Sequence, residues 1–331
     1  MPISRRIGAF VALAATLALV TGCASDAGSP AANTDSNTDS SETFTMTTVY
    51  GDVEVPASAD RIAAVSYDTP WQLMSLDVQP IATIDYSRWL DSYTPEQQAF
   101  IADAANIGTF GEVNFEALAS ATPDLIIGDA YEVDEATFER LSDIAPTVIL
   151  GGGARGDWQS LTKQAAEATG TTAVWEASKT AYEELRDSTR EKYADVIEKN
   201  VWINFSFGDE AGQFSVQLPT GSTGNLVVNE MGLAYGPGAQ IEDAERRGYV
   251  ALPLEQLPTV FDGVTQALTF AATDGVIPTG IQEIIDSNIF QTLDVAKSGN
   301  IYALTSSVTD YETAQDWIDE LTEKVLEPLS E

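Results

Sequence analysis

Residues 171–199, TTAVWEASKTAYEELRDSTREKYADVIEK, run for 29 positions without a glycine or a proline. Val174, Ala177, Ala181, Leu185, Tyr193 and Val196 recur along the stretch at the spacing of one helix face. One weak turn is expected around Ser188 and Thr189. At 1.5 Å per residue such a helix would be roughly 40 Å long, enough to run across two lobes. What lies on either side of it therefore decides the architecture.

Upstream, short apolar runs alternate with helical patterns. Ile62-Ala63-Ala64-Val65-Ser66, Pro80-Ile81-Ala82-Thr83-Ile84, Asn106-Ile107-Gly108 and residues 147–150 read as strands. Asp124-Leu125-Ile126-Ile127-Gly128 is nearly continuous in apolar residues, as a strand buried on both faces should be. Between them, residues 71–76, 115–121 and 134–144 read as helices, the second capped by Asn114. Thr94-Pro95-Glu96-Gln97 opens another, with a cap, a proline in the first turn and a glutamine three residues on. This alternation implies a parallel sheet with helices on both sides. Downstream, Asn200-Val201-Trp202-Ile203-Asn204-Phe205 restarts it. Strands at 214–218, 267–271 and 301–304 follow, with helices over 225–231, 254–261 and 281–293 and a last one from Tyr311. The expected fold class is α/β, two Rossmann-like lobes bridged by one long helix, with a ligand cleft between the lobes. The bounds are 44–156 for the first lobe, 157–199 for the connecting helices and 200–331 for the second lobe.

Charge narrows the function. The 331 residues carry 16 Lys and Arg against 51 Asp and Glu, a net charge of −35, and no histidine. Nothing here could neutralise a row of phosphates, so nucleic acid is not a partner. Histidine-ligated metals and histidine general bases are impossible. One cysteine excludes disulfide stapling within the chain. A 44% hydrophobic share still supports a real core.

That cysteine has an address. Arg5 and Arg6 precede a 14-residue apolar stretch at 7–20, too short for a comfortable membrane span. It ends Val20-Thr21-Gly22-Cys23, which resembles the lipobox of bacterial lipoproteins, where the peptide is cut before the cysteine and its thiol is lipidated. Residues 1–22 are thus expected to be a signal peptide. Residues 23–43 would be a lipidated cysteine and a flexible tether, built from small and polar residues that cannot offset the entropy of ordering. The protein would sit on the extracytoplasmic face of the cell membrane. Ser4-Arg5-Arg6 hints at twin-arginine export, but Gly8 stands where that signal wants an aromatic.

Two motif matches carry no chemistry. Gly151-Gly152-Gly153-Ala154-Arg155-Gly156 fits G-x-G-x-x-G, yet no strand follows at the distance a dinucleotide fold requires, so it reads as a glycine-rich cleft rim. Ser160-Leu161-Thr162-Lys163 fits S-x-x-K without the partner motifs of serine acyl-enzymes. The aromatics are more informative. Tyr67, Trp71, Tyr86, Trp89, Phe110, Tyr131, Trp158, Phe207, Tyr249 and Tyr311 fall at expected strand-to-helix loops of both lobes, where open α/β sheets bind ligands. Arg88, Arg155, Arg246 and Arg247 lie in the same loops and could face ligand oxygens, or else pair with neighbouring carboxylates.

These features resemble the substrate-binding lipoproteins of ABC importers for ferric siderophores, haem and cobalamin. Tyr50-Gly51-Asp52-Val53-Glu54-Val55-Pro56, followed by Arg61-Ile62-Ala63, is similar to that family's opening segment. Asn114-Phe115-Glu116-Ala117-Leu118 and Pro123-Asp124-Leu125-Ile126-Ile127 resemble its N-L-E and K-P-D-L-I run, with Thr122 in place of lysine. Leu141-Ser142-Asp143-Ile144-Ala145-Pro146-Thr147-Val148 resembles its L-x-x-I-A-P-T-V, and Leu254-Glu255-Gln256-Leu257 its S-x-E-x-L, with Pro253 replacing serine.

The resemblance implies a binding protein, not an enzyme. It would act as a monomer that delivers ligand to an ABC permease dimer and its ATPase. Glu116 and Glu255 would dock that permease, one on each lobe. Ligand contacts are expected from Tyr67, Trp71, Tyr86, Phe110, Phe207 and Tyr249, with Arg88 and Arg247 as donors. A ferric siderophore suits the composition best, since its iron arrives already wrapped in oxygens and needs no protein ligand, hence no resident cofactor or metal site. The chain's acidity favours a neutral or cationic ferric hydroxamate over an anionic catecholate. Haem or cobalamin on the same fold remain open, as do direct ferric-ion capture by tyrosines and carboxylates and a carboxylate-based surface hydrolase.

Overall fold

The computed structural model describes residues 42–90, 93–151, 156–245 and 247–331. Cys23 and the tether lie outside them. An antiparallel hairpin, Thr43–Thr48 with Gly51–Pro56, comes first. Its Met46 and Val55 are buried on the first of two five-stranded sheets. That sheet is wholly parallel and runs, in spatial order, Ala105–Asn106, Ala82–Thr83, Ile62–Ala64, Leu125–Asp129 and Thr147–Leu150.

The apolar run at its centre explains its burial. Leu125 and Ile127 join one core with Ile62, Ala64, Val148 and Leu150, while Ile126 joins the opposite core with Ala63, Val65 and Ile149. Each face is covered by helices, as an uninterrupted apolar strand demands. The expected caps are in place. Thr94 and Gln97 form a reciprocal capping box at Pro95–Ile101, and Asn114 accepts from the Ala117 amide at Phe115–Ala121. The brief strand expected over 106–108 instead divides: Ala105–Asn106 pairs in the sheet, and Gly108–Thr109 turns into a small hairpin with Glu112–Val113. Gly108 makes that turn possible. Its φ is +132°, and a Cβ there would lie 2.1 Å from the Glu112 carbonyl oxygen.

The long helix is real but shorter than expected. It spans Thr172–Lys192, roughly 31 Å, and a second segment follows at Ala194–Lys199. The break falls at Tyr193 (φ −111°, ψ 21°), whose ring is buried in the second core, and not at Ser188 and Thr189. Thr189 is itself buried, and Ser188 satisfies its hydroxyl on the Leu185 carbonyl, so both stay helical.

The second sheet is mixed, where β/α alternation was expected to continue. Its order is Tyr249–Pro253, Gln213–Gln217, Trp202–Phe207, Gln266–Phe270 and Ile301–Leu304. The last three run parallel; the first two are antiparallel additions. Only five residues separate Phe207 from Gln213, too few for a parallel crossover, so the chain must turn straight back. Three expected helices contract: 225–231 to Ser222–Asn225 with a wider turn at Leu226–Glu230, 254–261 to two short turns at Leu254–Gln256 and Leu257–Val260, and 281–293 to Thr279–Asp286 with a turn at Phe290–Thr292. Among the described residues no helix is long and apolar enough to cross a membrane.

Glu230 ties the second lobe to the bridging helices. Arg186 Nη1 donates to its Oε2 at 2.6 Å and Tyr182 Oη at 3.1 Å, Gln159 Nε2 donates to Oε1 at 3.2 Å, and Arg190 donates to its backbone carbonyl at 2.9 Å. Pairing with Asp187 and Glu230 raises the Arg186 pKa further, so the guanidinium is charged at any working pH. Glu230→Ala would leave a half-buried guanidinium with Asp187 alone and a buried phenol without its acceptor. It should lower stability in urea denaturation by about 1–3 kcal/mol, whereas Arg190→Ala, which removes an exposed donor, should cost under about 0.5 kcal/mol. Equal losses from the two would place the tie elsewhere.

Candidate functional site

The carboxyl ends of the two sheets open on one space. A cavity of about 460 Å³ is walled on one side by Tyr67, Asp68, Trp71 and residues 93–97, and on the other by residues 305–307 and the start of the helix Tyr311–Leu321. A smaller cavity of about 210 Å³ shares Tyr67, Asp68 and Ser307 and extends to Trp158, Arg247 and Tyr249. A third, about 280 Å³, lies over the ends of the second sheet beside Phe207 and Trp317.

On the first lobe the aromatics form one connected cluster. Tyr67 meets Trp89 edge-on at 5.0 Å, Tyr86 at 5.6 Å and Phe110 at 5.8 Å, while Trp71 stacks obliquely on Tyr93 at 4.5 Å. Such pairs add about 0.5–1.5 kcal/mol each beyond burial and hold one another's rings in place. The cluster is graded in depth. Phe110 is 42% exposed at the rim, Tyr67 lies between, and Trp71 and Tyr86 are each 2% exposed. Trp71 still lines the main cavity. Tyr86 lies behind it, its hydroxyl donating to the Tyr67 carbonyl at 2.6 Å and its pKa pushed far up by burial. The expected direct contact from Tyr86 becomes support for Tyr67.

The second lobe contributes hydroxyls. Thr305 and Ser306, just past the strand Ile301–Leu304, are held by one carboxylate. Glu320 accepts from the Thr305 amide at 2.8 and 2.9 Å, from the Ser306 amide at 3.1 Å and from both hydroxyls, and it pairs with Lys324. Burial works against its charge, but Lys324 and the two amides prevail and hold its pKa below the usual range. Asp310, 2% exposed, caps the next helix by accepting from the Glu312 and Thr313 amides and the Thr309 hydroxyl. Burial raises its pKa despite those bonds.

Five carboxylates line the main cavity: Asp68, Glu96, Asp310, Glu312 and Asp316. No lysine or arginine among the described residues lines it. Desolvation raises Glu312 and Asp316, and Glu96 of the first lobe adds to the rise in both. Acidic side chains from opposite lobes therefore feel one another across the cleft. Among the described residues, no three acidic or cysteine side chains are placed to hold a bare metal ion.

The other expected site residues scatter. Phe207, 51% exposed, borders the cavity over the second sheet, whereas Tyr249 borders the smaller cavity shared with Tyr67 and begins a strand where a loop was expected. Arg247 was expected to donate to ligand oxygens. Its fork instead grips Asp209 through two bonds of 2.8 Å and its guanidinium stacks over the Tyr249 ring, whose hydroxyl also donates to Asp209. Arg88 is exposed and lies over the Trp89 ring at 5.4 Å, outside all these cavities. Arg155 and Arg246 lie outside the described residues. Gly156 does border the cleft, pressed so close to Gly221 that a Cβ would lie 2.1 Å from its carbonyl carbon. Glu116 and Glu255 are exposed, in the first turn of Phe115–Ala121 and the middle of Leu254–Gln256. Sequence reasoning missed Tyr93, Asp310 and Glu320; only the capping pattern before Tyr311 and the Glu320–Lys324 spacing gave any signal.

The profile of the periplasmic binding protein family matches residues 62–308. YfiY of Bacillus subtilis, a probable siderophore-binding lipoprotein, is 23% identical over 278 residues, covering 81% of this chain and 82% of the relative. YhfQ of the same organism, named for an ABC transporter substrate-binding lipoprotein, is 23% identical over 265 residues, covering 78% and 80%. Among solved structures, the siderophore periplasmic binding protein from the fuscachelin gene cluster of Thermobifida fusca superposes with a TM-score of 0.70 at 21% identity, over 81% of this chain and 97% of that one. With two α/β lobes, a bridging helix and a ligand-sized cleft between the sheet ends, the chain belongs to the periplasmic binding protein family, whose members bind ligands and are not enzymes.

Proposed function

We propose that the chain is the extracytoplasmic substrate-binding component of an ABC importer and captures a ferric siderophore, of hydroxamate type, in the cleft between its sheets. The lining of the cleft carries the reading. An aromatic wall on one lobe faces a hydroxyl floor on the other, which offers shape, ring contacts and a few donors to a complex whose iron already has its oxygen ligands. Iron enters only with the ligand, and the protein keeps no cofactor of its own. The carboxylates of the same lining would repel a triply anionic ferric catecholate and tolerate a neutral or cationic hydroxamate. The name of YfiY supports the ligand class, and the names of YfiY and YhfQ both support the anchor, which here would be a lipidated Cys23.

Titration with a ferric trihydroxamate should quench tryptophan fluorescence, since Trp71 lines the cavity and Trp89 packs on Tyr67. Tyr67→Ala should weaken binding by about 1–3 kcal/mol. A ferric tricatecholate should bind more weakly than the hydroxamate. Unchanged affinity in Tyr67→Ala would sink the site; a preference for the tricatecholate would sink the ligand type.

Glu116 and Glu255 fit the docking role because each is exposed on a different lobe near a helix start. The double variant Glu116→Ala/Glu255→Ala should keep its fold and ligand affinity and lose iron uptake in cells, with the residual uptake sensitive to salt. Normal uptake would reduce both to ordinary helix-end residues.

A further inference from the structure

We propose that Asp209 is a specificity-determining residue: it holds the Arg247 guanidinium away from ligand and so turns the cleft against anionic complexes. The inference rests on the reading above, that the cleft takes a ferric hydroxamate, and names the side chain that enforces that choice. Arg247 lines the 210 Å³ cavity together with Tyr67 and Asp68 of the first lobe and Tyr249 of the second. Among the described residues, no other lysine or arginine lines that cavity or the 460 Å³ one beside it. A guanidinium at a cleft wall is a natural partner for ligand oxygens, so what occupies its fork decides which ligands it can serve.

The fork is taken up by protein. Nη1 donates to Asp209 Oδ2 and Nη2 to Asp209 Oδ1, both at 2.8 Å, in the parallel geometry of a guanidinium–carboxylate pair. Nη2 also donates to the Tyr249 hydroxyl, which in turn donates to Asp209 Oδ1 at 2.8 Å. Nη1 reaches Glu245 Oε2 at 3.5 Å. Both terminal nitrogens are thus turned toward protein acceptors. The backbone is pinned as well: the Arg247 and Gly248 amides donate to the Asp243 carboxylate at 2.9 and 2.8 Å, and Tyr249 opens a strand paired to Gln213–Gln217.

Asp209 acts from the far side of the wall. It stands in the turn between Trp202–Phe207 and Gln213–Gln217 and lines a further cavity of about 350 Å³ with Glu210, Asp243 and Glu245. That cavity and the 210 Å³ one have two lining residues in common, Arg247 and Tyr249, which form the wall between them. The carboxylate therefore draws the guanidinium outward, away from the side that faces ligand. Stability gives little reason for the pair, since its side chains stay 32% and 40% exposed and ion pairs this open contribute little to folding. Its larger consequence is electrostatic. A neutral ferric hydroxamate is indifferent to the withheld positive charge, whereas a triply anionic complex is denied an attraction the wall could otherwise supply.

The test compares ferrioxamine E, a neutral ferric trihydroxamate, with a triply anionic ferric tricatecholate. Each is titrated into the purified chain by tryptophan quenching at low and at high NaCl. In Asp209→Asn, whose folding is checked by thermal unfolding, the affinity ratio of tricatecholate to ferrioxamine E should rise on the order of tenfold at low salt, and the rise should shrink at high salt. Adding Arg247→Gln to Asp209→Asn should abolish the rise. Glu210→Gln, which removes the same charge one residue along the turn, should leave the ratio near that of the unaltered protein. An unchanged ratio in folded Asp209→Asn would overturn the role of Asp209. A rise that survives Arg247→Gln, or one that Glu210→Gln reproduces, would be a general effect of charge and would overturn the hold on Arg247. An unaltered protein that prefers the tricatecholate would overturn the hydroxamate reading, while the response of the ratio to Asp209→Asn would still decide the hold. Binding of neither probe by any of these proteins would overturn both readings together.

Discussion

The cleft depends on how the two cores are held to one helical frame, and the Glu230 carboxylate is the central polar contact in that frame. It gathers Arg186 and Tyr182 of the bridging helix and Gln159 of the preceding helix Trp158–Thr169 onto the second lobe. That preceding helix serves both cores, with Trp158 in the second and Leu161, Ala165, Ala166 and Ala168 in the first. Trp175, near the start of the bridging helix, packs against both as well. Apolar contact alone would let these helices slide. A directional ion pair with two further hydrogen bonds fixes their register, and with it the separation of the aromatic wall from the hydroxyl floor.

Local rules made much of the first lobe legible. Its parallel strands lie where unbroken apolar runs stand between capped helices, and the caps at Thr94 and Asn114 are properties of four or five neighbouring residues. The second lobe was harder because its deciding features are not local. Tyr249–Pro253 is a strand only because Gln213–Gln217 offers it an edge, and its own residues include a proline and no clean alternation. Tyr193 interrupts the long helix through its place in a core assembled from distant segments. Residue propensity at Ser188 and Thr189 pointed to the wrong turn, since the Ser188 hydroxyl is satisfied on the Leu185 carbonyl and Thr189 is buried within the helix.

The site shows the same division. Residue type and position suggested Tyr67, Trp71, Tyr86 and Phe110 as neighbours of a cleft; the four form one cluster, of which Tyr67 and Trp71 line the main cavity. Depth within it was not legible: Phe110 and Tyr86 differ from 42% to 2% in exposure because one ends a small hairpin and the other is overlain by Tyr67 and Trp89. The clamp made by Glu320 was not legible for a further reason, although its spacing from Lys324 was. Its partners, the Thr305 and Ser306 amides, are backbone groups that any residue would provide, so no sequence pattern announces the clamp.

Where the few cations go matters more than how few there are. Arg61 donates to the Ala121 and Thr122 carbonyls, closing the helix Phe115–Ala121, whose C-cap Thr122 takes the left-handed conformation at φ 47°. Arg140 lies 3.6 Å over the Phe115 ring, and Lys163, Lys179 and Lys199 sit four residues from a carboxylate on their own helices. Each of these is a structural use near a helix terminus or face, worth tenths of a kcal/mol to about one. None of them brings a positive charge to the main cavity. Placing one there would neutralise Glu96, Glu312 or Asp316 and lower the apo protein's electrostatic strain, so the arrangement is not the most stable one this composition permits. Acid left uncompensated in a cleft, beside cations that are committed elsewhere, is the pattern expected where binding and not stability sets the local charge.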